Sequence, residues 1–171
     1  MTITDAALRE RTVAWEDPLR GARAARGMTG MEYLRAMMAG EYPPPPIAHT
    51  LGFTLAEVDD GRAVFTCEPA EYHYNPIGMV HGGVAATLMD SAMGCAVHTR
   101  LPAGAGYTTL EMKVNLLRAI TVDTGPLRCE GTLIHLGRTT ALAEARITDA
   151  AGKLLAHATS TCLILRHDGG S

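Results

Sequence analysis

Residues 73–90 read HYNPIGMVHGGVAATLMD. Asn75-Pro76 and Gly78 mark a turn, and from Gly82 to Thr99 Asp90 is the only Asp, Glu, Lys or Arg. This run predicts one long helix over about 82–100, stopped by Pro102 and Gly104. At about 100° per residue, Ala85, Leu88, Met89, Ala92 and Ala96 share one face, while Gly83, Thr87, Asp90 and Gly94 form a narrow wedge opposite. Val84, Ala86, Met93, Cys95 and Val97 fill the flanks, so the helix is apolar nearly all round and calls for burial on every side. A helix of roughly 27–30 Å must then be wrapped by whatever else the chain provides.

What it provides is strands. Residues 47–58 are apolar-rich and end at Asp59-Asp60-Gly61, and 62–68 alternates back. After the helix, 107–118, 126–136, 139–148 and 154–165 are rich in β-branched and apolar residues, separated by turn signals. Four successive strands with short links predict an antiparallel meander. The expected fold is α+β, a curved antiparallel sheet of five to six strands wrapped around one long central helix.

The chain divides near residue 46. Residues 1–46 hold six acids and six bases and finish at Pro43-Pro44-Pro45-Pro46, a stiff extended connector. Thr29 ahead of Met31, Leu34, Met37 and Met38 predicts a capped amphipathic helix, and the first twenty residues are expected to be partly mobile. Residues 1–46 are thus an N-terminal helical arm, and 47–171 the main domain.

Composition excludes several partners. Of 15 basic residues 13 are arginines, spread singly, and only 8 residues are aromatic, which argues against nucleic acid. No stretch is long and apolar enough to predict a membrane span, and residues 1–17 lack the apolar core of an export leader. Cys67, Cys95, Cys129 and Cys162 lie far apart in apolar segments, the pattern of buried free thiols in a cytoplasmic protein. The histidines lack metal-ligand spacing, no phosphate-binding glycine loop occurs, and Ser91 has no nucleophile-elbow context, so no metal or cofactor is expected.

The wedge is the anomaly. An unpaired carboxylate is costly to bury, so Asp90 either meets donors in a loop or dimer contact, or sits where water or substrate reaches it. One sheet around one helix leaves Gly83, Thr87, Asp90 and Gly94 uncovered, which predicts an obligate dimer with the helices near each other. On that reading a bulky residue at Gly94 weakens the dimer and abolishes activity together.

Asn75, Gly78, His81, Gly82, Gly83 and Asp90 match, position by position, the signature of the hotdog-fold acyl-CoA thioesterases, particularly the phenylacetic-acid-degradation type. YTTLEMKVNLLRA (107–119) is similar to that family's strand after the helix, and the resemblance covers about residues 47–165. It implies a hotdog domain over 47–171 that hydrolyses an acyl- or aryl-CoA thioester to free acid and CoA in a site shared across a homodimer, with doubling to a tetramer left open. It implies Asp90 as general base or nucleophile, and the helix N-terminus at Gly82 and Gly83 as oxyanion hole, where orphan N–H groups and the dipole polarise the carbonyl. Asn75 is either a holder of water or carbonyl or an Asn-Pro turn former; His81, and likewise His73, either shapes the oxyanion turn or is structural. Thr109 aligns with a Ser/Thr that assists the carboxylate in some relatives, or is an ordinary strand residue. Arg100, Lys113, Arg118 and Arg138 are candidates for the CoA phosphates or plain surface charges. The alternative function is a hotdog protein that binds acyl-CoA without turnover. A hotdog hydratase or dehydratase fits the Asn75–Asp90 spacing poorly.

Overall fold

The computed structural model describes residues 8–166. Three short helices lead in: α1 (Pro18–Ala25), α2 (Gly30–Met38) and α3 (Pro46–Leu51). Strands β1 (Phe53–Asp59) and β2 (Arg62–Cys67) follow, then a 3-10 turn at Glu71–His73 and the long helix α4 (Gly82–His98). Strands β3 (Ala105–Leu116), β4 (Leu127–Leu136), β5 (Thr140–Thr148) and β6 (Leu154–Arg166) complete one six-stranded antiparallel sheet in the order β1-β2-β4-β5-β6-β3.

The sheet wraps α4, as expected, and the reason lies in side-chain size. Long apolar groups come from the helix (Leu88, Met89, Met93, Val97), all buried. The sheet answers with Ala63, Ala141, Ala143, Ala145, Ala156 and Ala158, also buried, so the helix seats low on the strands and the space fills. Closest approach is at β4, where a Cβ on Gly131 would overlap the backbone carbonyl of Ala92; glycine is required there. Bulges at Leu55/Glu57, Thr109/Glu111 and Leu133/His135 break the register of three strand pairs and bend the sheet.

Several expectations need correction. The meander holds for β4, β5 and β6, but β3 crosses to the far edge and pairs with β6 rather than β4. The stretch read as strand from residue 47 begins as α3: Pro46 opens it at a position where the missing N–H costs nothing, and Gly52, at φ 68°, closes it in the left-handed conformation. Asp17 and Pro18 likewise open α1, within the region expected to be mobile; residues 1–7, on which that expectation and the leader argument also rest, lie outside the described residues. The predicted Thr29 cap is a full capping box with Glu32, heading a helix that lies on the end of α4. There Gly30 donates to Leu101 O at 3.0 Å. Cys67, Cys129 and Cys162 are buried and Cys95 half-buried, all four free. Burial pushes the Cys67 thiol up to about 11 and Cys95 to about 12, which leaves neither a ready nucleophile. No described helix is long and apolar enough to cross a membrane.

Candidate active site

The site is built from the turn ahead of α4, the helix itself and β3. Asn75 makes the turn: its Oδ1 accepts from Ile77 N at 3.0 Å and Met79 N at 3.2 Å, while Gly78, at φ 79°, takes the left-handed corner. The turn-forming role of Asn75 is therefore real, and it occupies the oxygen. The amide NH2 of Asn75 remains, on a residue that lines a cavity of about 270 Å³ together with Met79, Gly82, Ala85, Leu116 and Ile120.

His81 caps α4. Its Nδ1 accepts from Gly83 N at 2.9 Å, its own N–H donates to His73 O at 2.8 Å, and its carbonyl takes Val84 N. The expectation of two bare donors at the helix start thus narrows to one. Gly83 N–H is committed to the His81 ring, whereas Gly82 N–H has no protein acceptor among the described residues. A Cβ on Gly82 would fall 2.5 Å from Leu116 Cδ1, so a larger residue here would push that exposed side chain aside at the mouth of the cavity. His73 is buried and structural: Nδ1 accepts from Ala70 N at 3.1 Å and Nε2 bonds Leu51 O at 2.8 Å.

Asp90 is half-buried, two turns along α4, and Thr109 Oγ1 donates to its Oδ1 at 2.8 Å. No cation pairs with this carboxylate among the described residues. The bulge at Thr109/Glu111 sets the contact up, because the extra residue, Leu110, re-aims the strand there. Ser91 and Thr87 spend their hydroxyls on helix carbonyls, Thr87 O and Gly83 O, both at 2.9 Å. Asp90 does not line the Gly82 cavity; eight residues of helix, about 12 Å of rise, separate the two within one chain.

The wedge is also less bare than the sequence implied. Tyr107 of the same chain lies across Gly94, which is buried; what remains open is Gly83, Thr87 and Asp90. Of the surface arginines, Arg100 is paired with Asp60 at 2.7 Å, and Arg118 lines the Gly82 cavity while bonding Leu154 O. Sequence reasoning singled out the stretch 107–119 as a strand but not the contact of Tyr107 with Gly94 or the cavity wall at Leu116–Ile120, which only the packing of that strand on α4 and the turn creates.

The thioesterase superfamily model matches residues 77–156, from the turn to the start of β6. A solved phenylacetic acid degradation-related protein from Ralstonia eutropha JMP134 is 32% identical with a TM-score of 0.70, covering 77% of this chain and 98% of its own. The chain belongs to the thioesterase superfamily. A 1,4-dihydroxy-2-naphthoyl-CoA hydrolase from Listeria monocytogenes is 29% identical over 64% of this chain and 87% of its own length. A Streptococcus mutans UA159 protein solved with acetyl CoA bound is 27% identical at a TM-score of 0.61, over 67% of this chain and 89% of its own. The superfamily's hotdog architecture is the one described above, and α1, α2, α3, β1 and β2 precede the stretch that the family model matches.

Proposed function

We propose that this chain is an acyl-CoA thioesterase that hydrolyses an acyl- or aryl-CoA thioester to free acid and CoA, with residues 47–171 as the catalytic domain and 1–46 as an appended arm. The observation that carries the reading is Asp90: a carboxylate with no cation beside it among the described residues, half-buried on an apolar helix and held by the hydroxyl of Thr109. A hydrolase of an aryl-CoA and an acetyl-CoA-bound protein among the relatives support the substrate class.

The proposed site spans two chains. β3 is an edge strand of 12 residues whose outer rim carries exposed Leu110 (56%) and Leu116 (56%), with Leu117 (50%) just beyond. An unpaired edge of that length invites pairing, and a second β3 is the complementary surface by symmetry. Pairing there sets the two α4 helices side by side and brings the partner's helix start toward Asp90, which removes the 12 Å separation. All four cysteines are free, which supports a reducing, cytoplasmic setting.

Chemistry then follows from the groups available. The thioester oxygen takes the Gly82 N–H at the positive end of α4, and Asn75 NH2 supplies a second donor beside it. In one route Asp90 takes a proton from water as the water oxygen attacks the carbonyl carbon. The tetrahedral oxyanion then collapses, the C–S bond breaks, and the thiolate recovers the proton from Asp90. In the other, the Asp90 oxygen attacks directly, the thiolate leaves, and water hydrolyses the mixed anhydride.

A panel of acyl- and aryl-CoAs with thiol detection tests the reading. Thiol release that vanishes in Asp90→Ala is expected. Binding of acyl-CoA with no release above the Asp90→Ala background would mean a binding protein instead.

A further inference from the structure

Residues 8–17 have no regular structure and are nearly all exposed, so burial does not hold them in place. Two arginines do. Arg11 donates to the carbonyls of His49 and Thr50, and its guanidinium lies 3.9 Å above the Tyr72 ring. Arg9 pairs with Glu71 at 2.6 Å. Residues 49 and 50 belong to the last turn of α3, where carbonyls lack helical partners; the next carbonyl, Leu51 O, is taken by His73 Nε2 at 2.8 Å. Three successive carbonyls at one helix end are thus bound by Arg11 and by a residue of the 3-10 turn. Gly52 makes room, since a Cβ there would lie 2.9 Å from Tyr72 Oη and 3.4 Å from Arg11 Nη2.

The Glu71–His73 turn is also where the candidate site is hung. His73 O accepts the backbone N–H of His81, the cap of α4. Asn75 stands two residues beyond His73, after Tyr74, whose hydroxyl accepts from Val122 N at 2.9 Å. We infer that Arg11, assisted by Arg9, is a positioning residue for the thioester site. By gripping Tyr72 and the end of α3 it fixes the turn that orients Asn75 and the His81 cap, and hence the Gly82 N–H. The inference rests on the thioesterase reading, and it gives the arm a role outside the stretch matched by the family model. A planar fork suits the task, because it spans two carbonyls and stacks at once, which an ammonium cannot do.

The test uses the full chain with Arg9→Ala/Arg11→Ala and, from the loop side, Tyr72→Ala, a half-exposed residue whose loss removes the stacking platform and its edge contact with the His73 ring. Hydrogen exchange at the amides of Asn75, His81 and Gly83 is expected to quicken about tenfold while β4–β6 keep their protection. Turnover is expected to fall about tenfold with KM within threefold, the pattern of a misplaced rather than missing group. Unchanged exchange at 75–83 with unchanged kcat overturns the inference, as does a uniform rise in exchange across β4–β6. Should the unaltered chain release no thiol from any acyl- or aryl-CoA, the thioesterase reading fails, yet the exchange comparison still decides whether the arm positions the turn.

Discussion

Tyr107 lies flat across Gly94, near enough that a side-chain Cβ at position 94 would stand 2.6 Å from its Cε2 and 2.7 Å from its Cζ. The two residues close the C-terminal half of the wedge from inside one chain, with Tyr107 at the start of β3 and Gly94 in the last turns of α4. Gly94→Ala should therefore destabilise the fold by about 1–3 kcal/mol through overpacking, read as a lower urea midpoint at unchanged slope. Combined with Tyr107→Leu, the cost should shrink, because the pair is in direct contact and non-additive. A variant that loses only dimer, with monomer stability intact, would restore the interface role for Gly94 that the helix periodicity first implied.

Thr109→Val keeps the shape of the strand residue and removes the donor to Asp90. We expect kcat to fall about ten- to a hundredfold with KM little changed, and Thr109→Ser to recover most of it. Equal activity in Val and Ser variants would make the contact incidental.

Asp90→Asn should remove most turnover and leave the Kd of a nonhydrolysable acyl-CoA analogue within about tenfold, as the charge acts mainly in the transition state. A single turnover in H2¹⁸O tests for the covalent route. Label in the Asp90 carboxyl group marks an anhydride opened at the aspartyl carbonyl, a result that the base mechanism does not give.

Acid stability should fall in two windows. Burial lowers the pKa of His73, whose Nδ1 must stay an acceptor for Ala70 N. The unfolded chain then binds the extra proton first, so stability declines as pH drops below about 6.5 and levels off beneath the folded value. Glu57 behaves separately: hydrogen bonds from Arg128 and Arg62, each at 2.6 Å, hold it down to about 2. Its contribution is present above about 4.5 and lost between there and 2. With the Glu57 side chain 44% exposed, solvent screening limits that contribution to about 0.5–1 kcal/mol. Urea midpoints at pH 7, 5 and 3 check both windows, and Glu57→Gln should flatten only the lower one.

The helix and the turn before it were legible because their signals are local. A long uncharged run, an Asn-Pro-x-Gly turn and a Pro/Gly stop all act within a few residues of where they are written. Asp90 stood out for the same reason, as the lone carboxylate on an apolar helix. What stayed hidden depends on contacts far apart in sequence. The place of β3 at the sheet edge beside β6 is set by partners some fifty residues away, such as Glu111 and Thr161. The arm's hold through Arg11 joins residues 38 and 39 apart. Gly83 looked free because a histidine ring is an uncommon cap, outside the usual Ser, Thr, Asp and Asn set. The helix at 46–51 was masked by its composition: Ile47, Ala48 and Leu51 run on into Phe53 and Leu55 with no Asp, Glu, Lys or Arg between them, though Pro46 and Gly52 bracket it as a helix should be bracketed.

Gly131 receives the carbonyl of Ala92 as a keyway receives a key. With the backbone of α4 locked there, two residues past Asp90, the helix can neither slide along its axis nor roll without first unseating from β4. The carboxylate's azimuth is thereby a property of the sheet, inherited from a strand it never touches. On the proposed thioesterase reading, differences among acyl groups are met by the side chains of the 74–80 turn and the rim at 116–120, while the carboxylate stays fixed as the datum from which those parts are measured.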